Sequence, residues 1–275
     1  MNILRKAIRR FVNSAIGLWG FEISRKEIKK HNQRQSFAGA LSHIKRLGFE
    51  PRTVIDVGIA YGTHVLYDAY PKAAYLLVEP LEEFKPCLDR IAQQYENVQY
   101  VIAAAGSQAG SRVINVHPDL SGSSFLLECE ESNVNGKPRT VPTVILDEIC
   151  RKKGLKGPYL IKIDVQGAEL DVLAGATETL KDTDYVILEV TLFGTFLEGP
   201  QFYNIIDFMK VRGFAFYEVL DLNYRPFDGA LCQMDIAFVK ESGRFREAHF
   251  FATREQREEI NKSMSKSALA FQEKT

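Results

Sequence analysis

Residues 53–62 read Thr-Val-Ile-Asp-Val-Gly-Ile-Ala-Tyr-Gly, and this stretch decides the fold. Thr53–Val57 is β-branched at four of its five positions and apolar up to Asp56, which marks a buried strand. Gly58, Ala60 and Gly62 then form a small-residue turn, and Thr63–Ala69 continues with helical composition. Strand, glycine turn and helix in that order open a βαβ unit. Working outward, further strands are expected at Ala74–Val78, Val98–Ala103, Tyr159–Ile163, Tyr185–Val190, Phe214–Val219 and Gln233–Val239. Helical stretches are expected at Leu81–Gln94, Val144–Lys153, Ala168–Leu180 and Phe202–Val211. Continuous apolar strands divided by helices predict an α/β doubly wound, mostly parallel sheet covered on both faces. The last two strands are joined by a short connection holding Pro226, Asp228 and Gly229, so the sheet should end in an antiparallel hairpin. Residues 107–139 are polar and β-rich, an excursion over one edge of the sheet. The domain spans 51–240, preceded by a helical extension over 1–50 and followed by a charged, helix-forming tail over 241–275.

The glycine turn also points to a ligand. Gly58 lets the backbone approach a bound molecule and Gly62 permits tight packing at the helix entry. The spacing differs from the Gly-x-Gly-x-x-Gly of hydride-transferring dinucleotide folds, and Asp56 precedes the first glycine. A carboxylate there repels pyrophosphate but suits a cationic ligand with an ammonium and a sulfonium, and S-adenosylmethionine has both. The second strand ends in Glu79-Pro80, and an acid at that tip accepts both ribose hydroxyls or is simply solvated. The run Ala103-Ala104-Ala105-Gly106 either leaves room for an adenine face near Ala103 or packs tightly at a strand end.

The 275 residues carry 35 basic and 35 acidic side chains, yet the balance is uneven. Residues 1–30 hold eight Lys/Arg against two acids, whereas residues 31–240 hold 20 against 27. An acidic body disfavours nucleic acid as a partner. Forty-five per cent hydrophobic residues support a full core, and no apolar run reaches the ~20 residues of a membrane span. Cys87, Cys129, Cys150 and Cys232 are scattered and without a signal-peptide core near Met1, which reads as a reducing cytoplasm. Ile3, Leu4, Ala7, Ile8, Phe11, Val12, Ala15, Ile16 and Trp19 form a helical apolar stripe opposite Arg5, Lys6, Arg9 and Arg10. Two readings compete for residues 1–19. The favoured one packs the stripe on the body or on a second subunit of a homo-oligomer, and the other lays it on the inner membrane surface.

At this point the sequence resembles the FkbM-type S-adenosylmethionine-dependent methyltransferases, from about Thr53 to Val239. The resemblance rests on the Asp56 turn, on Val78-Glu79-Pro80, on Ser121-Gly-Ser-Ser-Phe-Leu126 and on Val141-Pro-Thr-Val-Ile-Leu-Asp147. Its most specific part is Ile161-Lys-Ile-Asp-Val-Gln-Gly-Ala-Glu-Leu170, followed by Val172-Leu-Ala-Gly-Ala176. The chain departs from it at Gln166, where the family commonly has Glu, so position 166 is read as serving a less essential role. The resemblance implies a class I methyltransferase, Rossmann-like fold with seven strands, the last antiparallel. It also implies methyl transfer to a hydroxyl of a sugar, glycan or secondary metabolite, a small-molecule or carbohydrate acceptor. Carried over, Asp56, Gly58, Gly62 and Glu79 would bind the cofactor, with Ala60, Pro80 and Ala103 beside them.

Catalytic groups are sought at the carboxyl ends of the strands, where ligands lie in open α/β sheets. Asp164 closes one strand and Glu189 lies near the end of the next. Two carboxylates there act as base and orienter for a hydroxyl, or hold a divalent cation that lowers its pKa. Glu169 is a base or, more commonly for an early-turn acid, a helix cap. His64, at the start of the helix beside the turn, is the histidine best placed for proton transfer or else an ordinary surface histidine, and the remaining histidines form no ligand spacing, so no histidine-built metal site is expected. Lys162 reads as an ion-pair lysine, Ser123 and Ser124 as turn residues or acceptor contacts, and Gln233 and Asp235 as acceptor contacts or, the favoured reading, as closing the sheet edge. An NAD-linked oxidoreductase and a degenerate cofactor-binding scaffold are the competing functions.

Overall fold

The computed structural model describes residues 34, 36–130 and 133–272. The chain divides into two units, Met1–Arg34 and Gln35–Thr275, and the second carries both sheets. The stripe expected over residues 1–19 lies outside the described residues. In chain order the second unit begins with α1 (Phe37–Arg46), β1 (Thr53–Val57), α2 (His64–Ala69), β2 (Ala74–Glu79), α3 (Lys85–Gln94) and β3 (Val98–Ile102). There follow β4 (Ala104–Ala105), β5 (Gly110–Val116), β6 (Lys137–Val144), α4 (Leu146–Lys152), β7 (Tyr159–Ile163), α5 (Glu169–Ala174) and α6 (Thr177–Lys181). The chain ends with β8 (Thr183–Thr191), α7 (Phe202–Val211), β9 (Phe214–Tyr224), β10 (Leu231–Lys240) and α8 (Arg254–Gln272).

Seven strands form one sheet in the order β3-β2-β1-β7-β8-β10-β9. The strands from β3 to β8 are parallel, and β10 runs antiparallel to both β8 and β9. This is the expected seven-stranded architecture with its closing hairpin. Strand order reverses between β1 and β7, which opens a crevice above their carboxyl ends.

Side-chain parity along the strands sets which residues reach which face. Ile55, Val57, Leu76, Ile161, Ile163, Val186 and Leu188 share one core with α4 to α7. Val54, Tyr75, Leu77, Leu160, Tyr185 and Ile187 share the other with α1, α2 and α3. Asp56 stands opposite Lys162 in register and has the parity of Val54, so both polar groups enter the second face. α1 packs there through Ala40, Leu41 and Ile44, and its N-terminus is capped by Ser36, whose hydroxyl accepts the Gly39 N–H at 3.1 Å.

Two local expectations change. The single helix expected over Ala168–Leu180 is two, α5 and α6, broken at Gly175. A Cβ on Gly175 would fall 2.1 Å from the Gly106 carbonyl oxygen, so the break lets two backbones touch. The 107–139 excursion is an antiparallel ribbon, β5 with β6, extended by β4 into a second sheet. Its connecting loop folds back over the crevice and helps to wall the cavity.

Candidate active site

A cavity of about 390 Å³ lies at the carboxyl ends of β1, β2, β7 and β8. Its floor is built by the glycine turn. Gly58 adopts φ +75, and a Cβ there would lie 1.8 Å from the carbonyl oxygen of Asp164, so only glycine lets β1 and β7 come this close. Ala60 adopts φ 43, a conformation costly for a residue with a Cβ. The turn is held by Glu79, whose Oε2 accepts the Ala60 N–H and whose Oε1 accepts the Leu81 N–H, both at 3.0 Å. A carboxylate has about four acceptor positions, so half of Glu79's capacity remains for a ligand. Burial pushes its carboxyl up to about 7 against the pull of those two N–H groups. Pro80, Phe84, Ala103, Ala104 and Ala105 give the cavity an apolar lining beside it.

The opposite wall is acidic and amide-rich. Gln166 occupies φ 53 at the head of the β7–α5 turn, and its Nε2 donates to Asp164 Oδ1 at 2.9 Å and to Glu189 Oε2 at 2.8 Å. One amide thus spans the two carboxylates. Gln233 Nε2 approaches the same Glu189 oxygen at 3.4 Å, and Asn223 Nδ2 donates to Gln233 Oε1 at 2.9 Å. Burial first, then the charges of Asp164, Asp235 and Glu169, push the Glu189 carboxyl up to about 9. Behind this wall Lys162 donates to Asp164 Oδ2 at 3.1 Å and faces Asp56 Oδ1 at 4.0 Å. Burial alone would lower the Lys162 ammonium, but Asp164, Asp56 and Asp235 outweigh it and hold the lysine above its ordinary value. Tyr67 donates to Asp56 Oδ2 at 2.6 Å and accepts the Thr63 N–H at 3.1 Å. A continuous polar chain therefore runs from the backbone of Thr63 through Tyr67, Asp56, Lys162, Asp164, Gln166, Glu189 and Gln233 to Asn223.

Of the residues expected from sequence, Gly58, Ala60, Glu79, Pro80, Ala103, Asp164 and Glu189 are brought together around this cavity. Four are not. Asp56 is fully buried under the turn because its parity directs it toward α2, and burial raises its carboxyl above the ordinary range. It supports the turn from beneath and presents nothing to the cavity. Gly62 lies outside too; a Cβ there would meet Ile91 Cδ1 at 2.7 Å, so this glycine serves helix packing. His64 is exposed on α2 against the rings of Tyr67 and Tyr95, away from the cavity. Glu169 is buried, and its Oε1 accepts the Val165 and Gly167 N–H groups at 3.3 and 3.1 Å. That carboxylate clamps the turn presenting Gln166, the capping use.

Ser124 donates to the Gln166 carbonyl at 2.6 Å and Ser123 to that of Leu120 at 2.6 Å, so both order loops. A divalent cation does not fit the carboxylate pair. The amide hydrogens of Gln166 are aimed into the gap where the ion would sit, and among the described residues no group of three His, Cys, Asp or Glu side chains is placed to hold one. Sequence reasoning assigned Gln166 a lesser part, yet it stands at the centre of the site. It also missed Asp119, Phe125 and Asn223, which line the cavity from loop positions without a motif of their own.

A family model described as the methyltransferase FkbM domain matches residues 56–216. The chain is 43% identical over 76 residues to the 2-O-methyltransferase NoeI of Sinorhizobium fredii, a match covering 26% of this chain and 31% of that protein. It is 29% identical over 144 residues to the hexuronic acid methyltransferase AglP of Haloferax volcanii, covering 49% of this chain and 54% of that protein. The chain thus spans about half or less of the length of these curated relatives. Among solved structures, the magnesium protoporphyrin IX methyltransferase of Synechocystis PCC 6803 aligns with a TM-score of 0.43 at 12% identity, over 86% of this chain and 98% of that one.

Proposed function

The chain belongs to the FkbM methyltransferase family, and on that footing we propose that it is an S-adenosylmethionine-dependent O-methyltransferase acting on a hydroxyl of a sugar, glycan or other secondary metabolite. The observation that carries the proposal is the division of the cavity. One end is a glycine turn tied to a buried acid, and the other is a pair of linked carboxylates.

At the first end, Gly58, Ala60, Glu79 and Ala103 would hold the cofactor. Spare acceptor positions on Glu79 suit ribose hydroxyls, and the Ala103–Ala105 wall with Phe84 suits a flat base. S-adenosylmethionine, when bound, supplies a methyl group already activated by its sulfonium. The chain's remaining work is to align a hydroxyl, exclude water and take one proton.

Asp164 and Glu189 are suited to that last task. Carboxyls this close do not both ionise readily, and Glu189, raised to about 9, keeps its proton at neutral pH. Asp164, ion-paired with Lys162 at 3.1 Å, would then be the group that takes the proton of the acceptor hydroxyl. Gln166 fixes the distance between the two carboxyls, and Asn223 and Gln233 supply amide contacts to the acceptor. The side-chain set supports a cytoplasmic enzyme with four free thiols and no zinc or disulfide framework among the described residues.

Calorimetry with S-adenosylmethionine and with NAD tests the cofactor. Binding of the former is expected, weakened more than tenfold by Glu79→Ala. Binding of NAD alone would remove the proposal.

A further inference from the structure

Resting on that reading, we infer that the methyl acceptor is an electrically neutral polyol, a sugar ring offering free hydroxyls, and not a uronate or a phosphorylated sugar. The acids lining the cavity are Glu79, Asp119, Asp164 and Glu189, the last protonated at neutral pH, and among the described residues no Lys, Arg or His lines it. The nearby cations are already committed. Lys162 is buried between Asp164 and Asp56, at 3.1 and 4.0 Å. Arg112 lies behind Phe125, its guanidinium 4.0 Å from the ring centroid and 2.7 Å from Asp171. His117 is turned to Asp119 at 2.7 Å.

Hydrogen-bond type gives the same answer as charge. Ionised carboxylates only accept, so they need donors from the ligand, and a carboxylate or phosphate on the sugar would offer acceptors only. A hydroxyl both donates and accepts. It can satisfy the acids and also receive the amide hydrogens of Asn223 and Gln233. An anionic acceptor would enter a partly desolvated site of its own sign without a counter-charge.

The test uses the full chain loaded with S-adenosylhomocysteine, with loading first established by calorimetry; failure to load would defeat the methyltransfer reading instead of this one. The loaded protein is titrated with matched probes: methyl glycosides of glucose, galactose and mannose, the corresponding uronic acids, and the 6-phosphates. The neutral member of at least one set is expected to bind tenfold or more tightly than its charged partners at 50 mM salt, the gap narrowing at 0.5 M. Asn223→Lys, on an exposed hairpin position, should narrow the gap at low salt by about tenfold. A uronate or phosphate that binds as well as its neutral partner overturns the inference. So does the absence of binding by every neutral glycoside, or an unchanged ratio in Asn223→Lys.

Discussion

Replacing Gln166 by Glu removes two donors and adds a third carboxyl to a site built around a shared amide. The lost bonds are 2.9 and 2.8 Å long; the one to ionised Asp164 is a contact of about 1.5–3 kcal/mol net, and the one to protonated Glu189 about 0.5–1.5 kcal/mol. Two outcomes compete for the introduced carboxyl. Remaining in place requires a proton, which at pH 8 costs about 5 kcal/mol for an ordinary glutamate and at pH 6 about 2.3 kcal/mol. Swinging out to solvent forfeits both bonds, about 2–4.5 kcal/mol. The cheaper route governs at each pH, so Gln166→Glu should lose about 3 kcal/mol at pH 8 and about 2 kcal/mol at pH 6. The sign follows from linkage. A carboxyl whose folded pKa is raised contributes stability below its unfolded pKa, and that contribution is lost as pH rises toward the folded value. Gln166→Leu forfeits the same bonds without a new titrating group and should lose a similar amount at both pH values. Urea unfolding of the three proteins at pH 6 and pH 8 measures this. Millimolar Mn2+ should recover part of the Gln166→Glu deficit, because three carboxylates then surround one gap. A Gln166→Glu protein as stable as wild type at pH 8 without metal would refute the amide bridge.

Three further outcomes are expected. Tyr67→Phe deprives the buried Asp56 carboxyl of its 2.6 Å donor and should cost about 2–3 kcal/mol in urea unfolding; a loss under 0.5 kcal/mol would show that Asp56 is supported otherwise. Gly58→Ala places a methyl 1.8 Å from the Asp164 carbonyl oxygen, so calorimetry should find S-adenosylhomocysteine affinity reduced more than tenfold, and unchanged affinity would mean that the turn does not form the cofactor floor. Glu189 keeps a proton in the folded protein up to about 9 that the unfolded chain releases near 4.5, so its contribution is lost as pH rises through that window. Thermal melts should therefore fall more steeply between pH 6 and pH 9 in wild type than in Glu189→Gln, and parallel profiles would contradict the raised carboxyl.

Much of the fold was legible because buried parallel strands are written as continuous apolar runs, as in Thr53–Val57 and Tyr159–Ile163. The closing hairpin was legible from a connection too short for a helix. Less legible was anything that depends on contacts between distant backbones. The break at Gly175 is one such case, because it depends on the Gly106 backbone packed against it. Asp56 was assigned by its place at a strand tip, but side-chain parity, fixed by the pairing with β7, turns it away from the cavity. Glu79 sits at the tip of the neighbouring strand and does reach the cavity, since its oxygens are drawn to the turn's N–H groups. His64 and Glu169 were chosen for proximity in sequence to the turns, which says nothing about direction. Gln166 was visible as a departure from the family pattern. Its importance was not, because an amide acquires its role only when two acids from different strands converge on it.

Along the polar chain from Thr63 to Asn223, every acid lies beside a group that gives it a hydrogen or faces it with positive charge. Such an order has a grammar: one member cannot be exchanged for its opposite without leaving two like neighbours face to face. Substitutions along it should therefore be tolerated in complementary couples, with Lys162→Met together with Asp164→Leu costing less than the sum of the two alone. Relatives that drift at one position are expected to have drifted at its neighbour as well, so the chain is inherited as a unit.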